Sequence, residues 1–192
     1  MLSLDVSLLR FFNRTLSSGI LDSVMATVTE PRNWAPVVLL LAIWISWRKG
    51  WRGLTILIGA ALVVTLTDAV VHRLLKPTFM RVRPCNALDW VLTPAGGSSG
   101  LSFPSAHATN VFAVATFLSA HLRPLAPALM AIAALVAVSR VYLGLHYPSD
   151  VIGGGVFGAA VAWLAVRFIP FMQPSPSRHL KSRDMENEPP AA

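Results

Sequence analysis

Apolar residues fall into five runs, at positions 34–47, 53–71, 108–122, 125–142 and 151–171, and most of the prolines and charges lie outside them. A helix needs about 20 residues to cross roughly 30 Å of hydrocarbon. The second, fourth and fifth runs meet that length, and the third meets it when its polar start at Ser105 is included. The first is short, but Trp34 and Trp47 stand at its ends like interfacial anchors, and a few flanking residues or a thinned bilayer would complete it. Before these runs, Leu4, Leu8, Leu9, Phe11, Phe12 and Leu16 recur at near-helical spacing against Asp5, Arg10, Asn13 and Arg14. That pattern predicts a helix lying in the interface over 4–28. The expected architecture is all-α: a polytopic transmembrane bundle of about five spans plus an N-terminal interfacial helix.

Composition supports the same class. Of 192 residues, 54% are hydrophobic and 13% charged, and the mean hydropathy is +0.59. The charged fraction is about half that of an ordinary soluble domain, too little to cover a water-facing surface. The length suits one membrane-embedded domain, 1–173, followed by a polar, proline-containing tail over 174–192 that is expected to be disordered. Cys85 is the single cysteine and has no partner for an intramolecular disulfide. Asp5 and Arg10 interrupt the first apolar stretch, so no cleavable signal peptide is expected. The net charge of +7 does not indicate nucleic-acid binding, because the cations flank membrane runs and have no aromatic platform beside them.

Orientation follows from the cations. Arg48, Lys49 and Arg52 fill the turn between runs one and two, and Arg178, Lys181 and Arg183 lie in the tail. With five alternating spans both groups share one side, which the positive-inside rule places in the cytoplasm. The segments 72–104 and 143–150 then face outward, from the cell's inner membrane. Arg73, Lys76, Arg81 and Arg83 run against this count, so they are expected to be there for a purpose. The small-residue face of Gly153, Gly154, Gly155, Gly158, Ala159, Ala160 and Ala162 is expected to pack within the monomer, while oligomeric state stays open. No internal repeat supports a two-fold transporter, and Asp68 with Thr65 and Thr67 is too little to line a polar path.

Three polar clusters sit at span boundaries on the outward face. In the first, 76–84, Lys76 and Arg83 are held in a segment that Pro77 and Pro84 are expected to keep extended, suited to several oxygens of one phosphate. In the second, 103–107, Pro104 stops any preceding helix and Ser105 is a good N-cap. The free N–H groups of the following helix then form an anion site, with His107 in its first turn. In the third, 139–150, Pro148 keeps helix away from Tyr147, so His146 lies in a loop and Asp150 starts a helix. An Asp near a His fixes its tautomer and frees the other ring nitrogen as a nucleophile. Each has a plainer reading when taken singly: a basic stretch attracting anionic lipid, a capping serine beside an interfacial histidine, and an Asp N-cap with a loop histidine.

Together they resemble the type 2 phosphatidic-acid phosphatase family of membrane lipid phosphatases, whose pattern is K-x6-R-P, P-S-G-H and S-R-x5-H-x3-D. Here it stands as Lys76, Arg83, Pro84; Pro104, Ser105, Ala106, His107; and Ser139, Arg140, His146, Asp150. The one departure is Ala106 where the family usually has Gly, at a helical N1 position that tolerates Ala. The resemblance covers 72–160 and implies the acid-phosphatase and vanadium-haloperoxidase-like core. It also implies roles: Lys76, Arg83 and Arg140 bind phosphate with Ser105, Ala106 and neighbouring N–H groups; His146, held by Asp150, attacks phosphorus; His107 is the acid and then the base. No metal and no cofactor are expected. His72, His121 and His179 match no motif position.

The resemblance implies a substrate that is a membrane lipid phosphate or diphosphate, with its chain in the bilayer. Small size and short loops favour an undecaprenyl pyrophosphate phosphatase. Phosphatidylglycerophosphate, phosphatidic acid and lipid A phosphatases share the motifs. A different class, a catalytically dead anionic-lipid-binding membrane protein, is countered by the retention of His146 and Asp150. Trp90 and the stretch 96–100 lie on the expected entrance loop and do not report specificity.

Overall fold

The computed structural model describes residues 3–174. The expected tail, with Arg178, His179, Lys181 and Arg183, lies outside the described residues. The N-terminal segment forms two helices, α1 (Ser3–Arg10) and α2 (Gly19–Thr29), rather than one. α1 runs into a π turn at Phe11–Thr15, and Ser18 then adopts an extended backbone and caps α2. This segment also packs on the bundle. Asp5, Leu9 and Asn13 are buried against the rest of the chain.

α3 (Pro31–Lys49) starts with Pro31 in its first turn, where no N–H is needed, and Glu30 caps it. α4 (Trp51–Val70) follows after one residue, Gly50, whose φ of +54° reverses the chain in a conformation that side chains rarely adopt. α4 continues through a π turn at Val71–Leu75 into α5 (Lys76–Phe79). Residues 76–79 are therefore helical, not extended as expected from the prolines. Pro77 falls in the first turn of α5, directly after the π turn, and its missing N–H interrupts no established ladder there. α6 (Pro84–Ala87) is a single turn. α7 (Ala106–His121), α8 (Ala126–Tyr142) and α9 (Pro148–Phe168) complete the bundle.

Among the described residues, three helices are long and apolar enough to cross a membrane: Trp51–Phe79, Arg123–Tyr142 and Pro148–Phe168. α7 has 16 residues and α3 has 19. α7 is the central helix, packed on α4, α8 and α9. Its Ala113, Phe117 and Leu118 join Ile56, Val63 and Ala162 in one core cluster, and Ala108 joins Leu9, Val141, Tyr147 and Val151 in another, near α1. Val38, Leu40 and Trp47 on α3, Leu62 and Leu66 on α4, and Ile152, Val156 and Phe168 on α9 are exposed, as lipid-facing residues are.

The small-residue face of α9 packs within the chain. A Cβ on Gly154 would lie 2.6 Å from the Ser105 carbonyl oxygen, and one on Gly158 would overlap the Thr109 carbonyl. α9 and α7 therefore approach backbone to backbone, which only glycine permits. α4 and α7 are tied by polar groups: Thr67 donates to Asn110 Oδ1 at 3.0 Å, and Asn110 Nδ2 donates to Asp68 at 3.0 Å.

Candidate active site

The three clusters meet at one end of the bundle. After Met80 turns the chain with φ +46°, residues 81–83 run extended and pair with 101–102. The pairing consists of the Val82–Leu101 bridge and a Ser102 N–H bond to the Arg81 carbonyl at 2.7 Å. Alternation along this strip puts Arg81 and Arg83 on one side of it. Ser105 caps α7, accepting from the Ala108 N–H at 3.5 Å, and its own N–H donates to the Asp150 carbonyl at 3.0 Å. The starts of α7 and α9 are thereby joined. As expected, Tyr147 is extended, Pro148 occupies the first turn of α9 with Asp150, and His146 lies in the loop after α8.

His146 is 1% exposed. Its Nε2 lies 3.3 Å from Arg83 Nη1, and its Nδ1 lies 3.5 Å from Asp150 Oδ2. Arg83 and Arg140 are 6% and 7% exposed, yet among the described residues neither has a carboxylate within ion-pair distance. The Nε of each is buried without a hydrogen-bond partner. Arg83 Nη1 also donates to the Leu145 carbonyl at 3.3 Å, and Arg140 Nη1 to Thr29 Oγ1 at 2.8 Å. His107 is partly buried, and the charges of Arg140, Arg83 and Lys76 act on it. Lys76 in turn feels Arg83 and Arg140. Ala106, the one departure from the motif, sits at the first position of α7, as expected, and is partly buried. All eight expected site residues thus belong to one neighbourhood. His72, by contrast, pairs with Asp68, and His121 bonds its own helix at the Phe117 carbonyl.

Electrostatics follow from this packing. Burial, helped by Arg83 and Arg140 and opposed by the Asp150 bond, pushes the His146 imidazole down to about 4, so it is neutral at pH 7. Burial also holds the Arg83 guanidinium below its ordinary value. Two buried cations with no carboxylate in direct contact among the described residues are costly unless an anion completes the site. The N-terminus of α7 adds to the same field.

Sequence reasoning missed part of the arrangement. Arg81 bridges Asp150 Oδ1 and Asp5 Oδ2, each at 2.7 Å, and stacks over the Tyr147 ring at 4.1 Å. Ser149 donates to Asp5 from its N–H at 2.9 Å, and Ser102 donates to Asp150 Oδ2 at 2.5 Å. Arg81 and Ser149 lie inside the motif segments without motif roles. Asp5 had only one signal, an acid within an otherwise apolar helix face. Among the described residues, no group of three or more His, Cys, Asp or Glu side chains is arranged to hold a metal ion.

A buried histidine with a carboxylate on one side and a buried guanidinium on the other, at the end of an apolar helix bundle, is an arrangement suited to an anionic group at a membrane surface. The chain matches the PAP2 superfamily over residues 54–173 and belongs to it. It is 31% identical over 170 residues to a lipid A 4'-phosphatase of Bacteroides thetaiotaomicron, covering 84% of this chain and 75% of that protein. It is 29% identical to the undecaprenyl-diphosphatase BcrC of Bacillus subtilis, over 82% of this chain and 79% of that one. Among solved structures, a transmembrane PAP2-type phosphatidylglycerolphosphate phosphatase from Bacillus subtilis superposes with TM-score 0.63 at 27% identity, covering 97% of this chain and 87% of that one. Aquifex aeolicus LpxE shares the fold, with TM-score 0.63 at 22% identity, covering 86% of this chain and 96% of that one. The protein is an integral membrane lipid phosphatase of the PAP2 type.

Proposed function

We propose that this phosphatase converts undecaprenyl pyrophosphate to undecaprenyl phosphate through a phosphohistidine on His146, at the extracytoplasmic face of the cell (inner) membrane. The observation that carries the mechanism is the pair of buried guanidinium groups, Arg83 beside Nε2 of His146 and Arg140 close enough for its charge to act on that ring, neither in ion-pair contact with a carboxylate among the described residues. Arg83, Arg140 and Lys76 bind the terminal phosphoryl group, and Ser105, Ala106 and the first N–H groups of α7 complete the cradle. Stabilisation of the transferring phosphoryl charge is the largest contribution.

Nε2 of His146 attacks phosphorus, an N–P bond forms, and the P–O bond to the prenyl phosphate breaks. His107 supplies a proton to that leaving oxygen. Water then attacks the phosphohistidine and gives its proton to His107, the N–P bond breaks, and inorganic phosphate leaves. Asp150 holds His146 in the attacking orientation. The site needs no metal in this reading, because cations and N–H groups supply the charge that a metal would.

Small size, short loops and similarity to an undecaprenyl-diphosphatase over most of the chain support the prenyl diphosphate as substrate. The similarity to a lipid A 4'-phosphatase makes lipid A the substrate to test beside it. Phosphate release by the purified protein is measured on undecaprenyl pyrophosphate, lipid A, phosphatidylglycerophosphate and phosphatidic acid, with EDTA present. The expected result is fastest turnover of the diphosphate, undiminished by EDTA. A preference for lipid A reassigns the substrate. Activity lost in EDTA and restored by magnesium overturns the metal-free mechanism, and absence of turnover on every lipid supports an anion-binding protein instead.

A further inference from the structure

His146 and Asp150 do not form a simple pair. Asp150 is fully buried, and its oxygens already have close donors: Arg81 Nη1 on Oδ1 at 2.7 Å, and Ser102 Oγ at 2.5 Å and the Tyr147 N–H at 2.9 Å on Oδ2. His146 Nδ1 stands 3.5 Å from both Asp150 Oδ2 and Ser102 Oγ. Ser102 is itself fully buried. A serine hydroxyl has one proton. Having given it to Asp150, Ser102 offers Nδ1 only lone pairs, so Nδ1 must carry the ring proton. The other end of the ring agrees, because Arg83 Nη1 at 3.3 Å is a donor only and requires a lone pair on Nε2.

The carboxylate that anchors this arrangement is held by residues without motif roles. Arg81 spans from Asp150 to Asp5 on α1, and Asp5 also accepts from the Ser149 N–H at 2.9 Å and from the Ser149 hydroxyl at 2.5 Å. Arg81 and Asp5 bond to Ser149 and to each other, and Arg81 also bonds to Asp150. We propose that Ser102 and the Asp5–Arg81 clamp are positioning residues: Ser102 sets the Nδ1–H tautomer of His146, and the N-terminal helix, through Asp5 and Arg81, holds Asp150 in the rotamer that makes this possible. The proposal rests on His146 as the nucleophile.

The test uses full-length Ser102→Ala and Asp5→Asn proteins in detergent, with His146→Ala as control. Steady-state kinetics are measured on whichever lipid phosphate the wild type turns over, and histidine 15N NMR reports the tautomer. Ser102→Ala is expected to lower kcat about ten- to a hundredfold, the scale of a small misplacement of a reacting group, with KM changed by less than about twofold. Its His146 signal is expected to shift from a single Nδ1–H form to a tautomer mixture. Asp5→Asn is expected to lower kcat in the same pattern by a smaller factor, and it carries the test should Ser102→Ala fail to fold. Wild-type kcat with an unchanged Nδ1–H signal in the folded variants overturns the proposal, as does a loss confined to KM. If His146→Ala keeps its turnover, the phosphohistidine reading itself falls. If His146→Ala is inactive and the folded positioning variants behave as wild type, only the positioning assignment falls.

Discussion

His146 shows how much a single side chain's chemistry depends on its surroundings. In water its imidazole would be partly protonated near neutrality and a poor nucleophile. Here burial moves the titration down to about 4. The sign is favourable: a lowered pKa keeps the ring neutral as pH falls from 7 toward 5, and protonation sets in only near the folded value. Histidine 15N shifts assigned to His146 are therefore expected to stay constant between pH 7.5 and 5.5, and a midpoint near the ordinary 6.5 would show the site to be wetter than its packing indicates. Under the proposed mechanism, His146→Ala abolishes turnover together with acid-labile phosphate trapped on the protein. Near-wild-type turnover would remove the covalent step. Asp150→Asn leaves the nucleophile and removes only orientation and charge, so its loss, of the order of 10⁴-fold in the best-studied triad, is expected to be the smaller of the two. A larger loss in a folded protein would give Asp150 another task.

At the level of elements, the site depends on two packing contacts that carry no reacting group. The first is the glycine-lined contact of α9 on α7, which also bears the Ser105 to Asp150 backbone bond. Gly158→Ala places a methyl against the Thr109 backbone, which has no flexible end to move aside. Overpacking of this kind costs about 1–3 kcal/mol, and thermal unfolding in detergent is expected to show it together with reduced activity. The second is the docking of the N-terminal segment through Asn13. Its Nδ2 donates to the Leu92 and Tyr142 carbonyls at 2.8 and 2.7 Å, and its Oδ1 accepts the Leu92 N–H at 2.8 Å. Asn13→Ala orphans the buried Tyr142 carbonyl and the partly buried Leu92 groups, at about 1–3 kcal/mol for each one left buried and unpaired. The expected result is a lower unfolding temperature and faster proteolysis of the 84–100 loop, and an unchanged melting temperature would show that water replaces the amide.

For the whole molecule, the decisive quantity is which way the bundle sits. The turn at Gly50 and the site beyond Lys76 lie at opposite ends of the continuous helix Trp51–Phe79, a separation of about 40 Å at 1.5 Å per residue, more than the hydrocarbon thickness. Arg48, Lys49 and Arg52 in that turn are expected to be cytoplasmic. The opposing cations at 76, 81 and 83 are accounted for by the site and its clamp and do not count as topology signals. In a Cys85→Ser background, a membrane-impermeant thiol reagent applied to intact cells is expected to label a cysteine placed at Ser98 and to spare one placed at Gly50. The reverse pattern would put the phosphatase chemistry in the cytoplasm and end its proposed part in recycling an extracytoplasmic lipid carrier.

What the sequence determined by itself is whatever depends on local order. Pro104 and Ser105 start α7 where expected, Pro148 keeps His146 out of α9, and the spacing of charged residues within each motif was enough to identify the family. Apolar run length located the three helices long and apolar enough to cross a membrane for the same reason, since hydrocarbon thickness acts on consecutive residues. Pro77 misled because its effect depends on the preceding π turn, which the residue string does not announce. Asp5 and Asn13 read as the polar face of an interfacial helix, yet they are buried, because what surrounds them comes from residues 81, 92, 142 and 149. Only the tertiary structure decided those contacts, and with them the Ser102 proton that assigns the tautomer of His146: a side chain's partners depend on distances in space, and local pattern says nothing of groups that the fold brings from more than seventy residues away.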